Sequence, residues 1–65
     1  MKLKSEIYEI LDVMRRHGGS FIKALADLYM TADRNNKIIL EDAFKHYFAR
    51  YDDMVVEMKK SGGVR

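Results

Sequence analysis

This chain of 65 residues has no cysteine, no proline and no tryptophan, and only two histidines and four glycines. Without cysteine there is no disulfide framework to staple a small fold and no thiol nucleophile. Two imidazoles alone leave a structural zinc site short of its usual ligands. The lack of proline removes the strongest helix breaker, and the glycines confine the cheap helix ends to Gly18-Gly19 and Gly62-Gly63. No apolar run approaches the roughly 18 residues of a transmembrane span. Met1-Lys2-Leu3-Lys4-Ser5-Glu6 meets charge too early to open a signal peptide, so a soluble cytoplasmic protein without membrane attachment is expected. Charge of one sign is also scarce: 12 Lys and Arg against 10 Asp and Glu give +2, interspersed along the chain, a weak nucleic-acid signal.

What is present is helical pattern. With 48% hydrophobic and 34% charged residues, the composition fits an all-α fold, read as a single helical domain over 1–60 and a flexible tail at 61–65. Leu3, Ile7, Ile10, Leu11 and Met14 recur at threes and fours, which predicts a first helix over 3–17. Arg15, Arg16 and His17 lie late, as the helix dipole favours, and Gly18-Gly19 is expected to supply a left-handed stop. Ser20 reads as the N-cap of a second helix over 20–32, with one apolar stripe at Phe21, Leu25, Leu28 and Ala32 and another at Ile22, Ala26 and Tyr29. Asp33 reads as the next N-cap.

From there no Gly or Pro appears before Gly62, which favours one long third helix over 34–60. Leu40, Phe44, Tyr47, Tyr51, Met54 and Met58 fall at alternating steps of four and three, the seam of a coiled-coil-like helix. Such a helix would be about 40 Å long, beyond the reach of two short partners. Tyr47, Phe48, Tyr51, Met54, Val55 and Met58 would then form an exposed patch, and a second copy is its simplest cover. A chain this small hides only roughly 60% of its unfolded surface, so oligomerisation would also help its core. A homodimeric helical bundle with Leu40, Phe44, Tyr47, Phe48, Tyr51, Met54, Val55 and Met58 at a dimer or partner interface is expected. The alternative is a break near Lys45 to His46 that folds a fourth helix back onto the others.

Catalytic and ligand motifs are thin. Asp33 to Phe44 fails as a calcium loop, with Ile38 where the sharp turn needs Gly and Phe44 where the bidentate Glu belongs. Asp42 and His46 are four apart, with His17 the only other imidazole, and read as a surface pair rather than metal ligands. No nucleophile and base are placed together, so no enzyme, cofactor or metal is expected. A helix-turn-helix reading has more substance, because Arg34, Asn35, Asn36 and Lys37 would start a recognition helix, with Arg15 and Arg16 on phosphate. Glu41 and Asp42 follow within two turns and oppose it.

The run His17-Gly18-Gly19-Ser20-Phe21-Ile22-Lys23-Ala24-Leu25-Ala26, continuing through Ala32-Asp33, Ala43-Phe44, Tyr47 and Tyr51, resembles small helical accessory proteins of temperate phages and prophages. Proline often follows the Asp and the Phe in that pattern, whereas Arg34 and Lys45 stand here, and the second departure favours an uninterrupted helix. The resemblance implies a bacterial host cytoplasm and a non-enzymatic role: binding a host or phage protein and so modulating infection or host physiology. A small dimeric DNA-binding regulator using Arg15, Arg16, Arg34, Asn35 and Lys37 is the alternative.

Overall fold

A computed structural model describes the backbone of residues 3–61 and the side chains of residues 3–60. Four helices follow one another among these residues: α1 Ile7–His17, α2 Ser20–Thr31, α3 Arg34–Ala43 and α4 Lys45–Ser61. Among the described residues there is no strand, and no helix is long and apolar enough to cross a membrane. The all-α class expected from the periodicity holds. The count of three helices does not, because the long third helix is two.

The first helix begins at Ile7, not Leu3, and the reason lies at the other end of the chain. Asp52 of α4, 3% exposed, accepts hydrogen bonds from the backbone amides of Lys4 at 2.8 Å and Ser5 at 2.9 Å. Amides bound to a carboxylate hold the segment before Ile7 out of the helix and against α4. Glu9 completes the start by accepting from the Glu6 amide at 3.4 Å. Further along, Ile10, Leu11, Val13 and Met14 turn inward, two pairs three residues apart that share one face.

The turn after α1 corrects the expected left-handed stop. Gly18 has φ −84° and Gly19 φ −79°, ordinary extended values that any residue can adopt. Gly18 is required for space: a Cβ there would lie 2.3 Å from Ile22 Cγ2 and 2.6 Å from the Met14 carbonyl oxygen. The missing side chain lets the first turn of α2 close onto the end of α1. Gly19, with nothing within 4 Å of its would-be Cβ, is the N-cap, and Ser20 is the first helical residue rather than the cap.

Ile22, Leu25, Ala26 and Tyr29 bury the inner side of α2. Asp33 caps α3 as expected, its side chain accepting from the Asn36 amide at 2.9 Å. α3 contains no fully buried residue.

Phe44 then breaks the helix. Its backbone leaves the helical region at φ −118°, ψ 30°. Its amide still donates to the Leu40 carbonyl at 2.9 Å, while its own carbonyl accepts from the amides of Tyr47 and Phe48, so one residue ends α3 and opens α4. No glycine or proline makes this turn. What selects it is burial: α4 redirects Phe48, 0% exposed, with Tyr51 and Val55 into a cluster with Ile10, Met14, Leu25, Ala26 and Tyr29. A fully buried aromatic side chain contributes a few kcal/mol, enough to outweigh the interruption of one helical ladder. α1 lies between α2 and α4, and α3 touches both α2 and α4. Of the tail expected at 61–65, Ser61 ends α4 and residues 62–65 lie outside the described residues.

Candidate interaction surface

The eight residues expected at a dimer or partner interface separate into three groups. Phe48, Tyr51 and Val55 belong to the chain's own core, where a partner could not reach them without unfolding it. Leu40, Phe44 and Met54 are half-buried and pack against that core. Tyr47 and Met58 remain exposed. Of the four-and-three seam itself only Tyr51 is buried, while Phe48 and Val55, which face α1 and α2, lie one step to its side.

The exposed members have a companion that the seam does not contain. Phe21, 55% exposed at the start of α2, sets its ring 6.1 Å from Phe44 edge-on and 5.6 Å from Tyr47, and Phe44 and Tyr47 are 6.2 Å apart. Three mutually contacting rings bridge α2, the break and the first turn of α4. Such contacts hold aromatic side chains in place while leaving part of each to solvent. At helical spacing Met54 and Met58 continue the same edge of α4 beyond Tyr47. Lys23, Lys45 and Arg50 on these two helices make no ion pair among the described residues.

A second apolar surface lies on α3. Ile38 and Ile39 are 58% and 60% exposed, and Leu28 of α2 is 52% exposed beside them. Two hollows flank Ile39. One of about 580 Å³ is lined by Ile38, Ile39, Glu41, Asp42, Ala43 and Lys45. The other, of about 440 Å³, runs between α2 and α3, with Leu28, Ala32, Ile39 and Leu40 among its lining residues. Sequence reasoning missed this surface, although Ile38-Ile39-Leu40 carried a signal. Successive helical residues point about 100° apart, so a helix with one buried side cannot hide three in a row. Leu40 turns in, and the isoleucines stay out.

The residues considered for nucleic acid are not gathered. Arg15 is held by Asp27, with its Nε 2.9 Å from the carboxylate, and Arg16 by Asp12 at 3.2 Å. Lys37 lies over the Tyr29 ring, 5.4 Å from its centroid. Arg34 and Asn35 are exposed at the start of α3, on a different helix from Arg15 and Arg16. Asp42 and His46 fall on different helices, and no group of three His, Cys, Asp or Glu is placed to hold a metal among the described residues.

Electrostatically, the perturbed groups are structural fasteners. Burial raises the Tyr29 phenol, and Glu41, accepting its proton in a hydrogen bond between α2 and α3, raises it further. Burial alone would raise Asp52, but the amides of Lys4 and Ser5 and the Ser5 hydroxyl more than offset it, so the carboxylate titrates below its ordinary value. Glu9 is also lowered, chiefly by its hydrogen bond from Lys59, which ties α1 to α4. Each links two segments of the chain.

A four-helix chain with a half-exposed aromatic cluster defines, at this level, a small helical scaffold displaying apolar side chains. No family model, curated protein or solved structure matches the chain.

Proposed function

We propose that the chain is a non-enzymatic phage accessory protein that binds a host or phage protein and thereby modulates infection or host physiology. The phage setting rests on the resemblance carried by His17 to Ala26, Asp33, Phe44, Tyr47 and Tyr51. The binding role rests on one observation, the contacting and half-exposed rings of Phe21, Phe44 and Tyr47. Aromatic side chains already ordered before binding lose little entropy on contact, which is why they dominate binding energy at protein interfaces. Lys23, Lys45 and Arg50 are exposed on the same two helices. The partner segment that fits the rings is one with an apolar or aromatic anchor. The DNA-binding alternative draws less support, because its cations are mostly tied to Asp27, Asp12 and the Tyr29 ring.

The test is site-specific photocrosslinking in infected bacterial cells, with a photoreactive phenylalanine replacing Tyr47 and, as control, Asp12 on the far side of α1. The expected result is a discrete adduct from position 47, absent from position 12 and lost in Phe21→Ser at unchanged helicity. The same variant should lose any effect of the expressed protein on plaque formation. Identical adducts from both positions, or an adduct indifferent to Phe21→Ser, would overturn the reading.

A further inference from the structure

We propose that the outer face of α3 pairs with the same face of a second copy, antiparallel, about a two-fold axis at Ile38. This surface is separate from the aromatic one. Phe44 leaves α3 about 140° around the helix from Ile39, so a copy seated on the isoleucines leaves Phe21, Phe44 and Tyr47 free.

The argument begins with the order of residues on the helix. At about 100° per residue, Arg34, Asn35, Ile38, Ile39 and Asp42 share the side away from Leu40 and Phe44, and all five are exposed. The stripe is apolar at its centre, cationic at its N-terminal end and anionic at its C-terminal end. That order is self-complementary only when the second helix runs the other way. Turned about Ile38, Arg34 of each copy faces Asp42 of the other. A parallel copy would instead set Arg34 beside Arg34 and Asp42 beside Asp42. The two helix dipoles also oppose one another in the antiparallel arrangement.

Three further observations favour a second copy as the occupant. Arg34 and Asp42 make no ion pair within the chain among the described residues, so both are available. Ile39 stands as a ridge between two hollows, so each copy offers both a knob and a recess for the other. The two-fold symmetry of an isologous contact needs such a surface, in which one patch serves as both partners. α3 has only 10 residues and no buried side chain of its own. Contact along it falls short of the roughly 800 Å² per partner of a standard interface, which makes the pairing weak.

Sedimentation equilibrium of the full chain over a wide concentration series tests the pairing. The expected result is a reversible monomer–dimer equilibrium that Ile38→Glu weakens by more than about tenfold. Arg34→Asp and Asp42→Arg should each weaken it by about fivefold, two exposed ion pairs being lost per dimer. The double variant Arg34→Asp/Asp42→Arg, which reverses the charge order but keeps it complementary, should return within about twofold of the original. The charge variants lie on exposed side chains away from the core, so they keep the test valid if Ile38→Glu perturbs folding. A chain that stays monomeric to about 1 mM overturns the proposal. So does a dimer indifferent to Ile38→Glu, or one in which the double variant is no better than the singles.

Discussion

At the scale of single residues, Asp52 shows how a polar group organises a small core. It is buried and ionised, and its partners are backbone amides that would otherwise be unpaired. Asp52→Asn keeps the shape but replaces one acceptor oxygen with a donor facing an amide. Loss of charged hydrogen bonds of this kind costs about 1.5–3 kcal/mol, a shift that urea denaturation at neutral pH would measure. The pH dependence follows from the direction of the shift. Asp52 and Glu9 both titrate lower in the folded chain than their ordinary values, so the unfolded chain binds more protons as pH falls. Their contribution is complete above the ordinary carboxylate value near pH 4 and is lost as pH falls through the lowered one. The melting temperature of the native chain should therefore drop steeply below about pH 4, and that of Asp52→Asn less so. A gap between the two proteins that stays constant down to acid pH would contradict the assignment. Tyr29→Phe removes only the donor to the half-exposed Glu41 and should cost about 0.5–1.5 kcal/mol.

At the scale of elements, the two glycines between α1 and α2 look equivalent in sequence and differ in structure. Gly18→Ala drives a methyl into Ile22 and the Met14 carbonyl, and overpacking of this kind typically costs about 1–3 kcal/mol. Gly19→Ala meets nothing at an ordinary φ, and because the gain through the unfolded chain is offset by the poorer N-cap that Ala makes, it should change stability by less than about 0.5 kcal/mol. Thermal melts of the pair would separate the two. The boundaries legible in the sequence were those written in local chemistry: the end of α1 before the glycines and the Asp33 cap of α3. The break at Phe44 was open in the sequence only as the alternative near Lys45 to His46, because no residue there opposes helix on its own. It exists only because Phe48, Tyr51 and Val55 find α1 and α2 once the chain turns. The seam at fours and threes caught Tyr51 but not Phe48 and Val55, one step to its side, and its spacing could not say whether the cover would be a second chain or the same one. Phe21 was missed as a surface residue because its apolar stripe looked continuous with Leu25, which is buried. The break also predicts where proline is tolerated. Lys45→Pro, at the first position of α4, should cost far less than Ala49→Pro, which removes an internal amide and costs about 3 kcal/mol or more.

At the scale of the whole molecule, the consequence of the break is that a 65-residue chain supplies its own core. Phe48 sits at its centre, beside Tyr29 with ring centroids 5.4 Å apart, and truncating it to Ala should cost about 3–5 kcal/mol. The same turn of the chain brings Phe44 and Tyr47 against Phe21, so the candidate interaction surface exists only if α4 folds onto its own α1. That return is recorded at its far end by the Lys59 ammonium, 2.8 Å from the Glu9 carboxylate. The measurement that tests it most directly uses the absence of native cysteine: spin labels on Glu9→Cys and Lys59→Cys, with the distance read by pulsed electron resonance. Labelled chain is diluted into excess unlabelled chain, so that only distances within one molecule survive. A single short distance that persists on dilution is the predicted result. A short distance that vanishes on dilution, or is replaced by a long one, would mean that the helix runs straight through Phe44 into another chain.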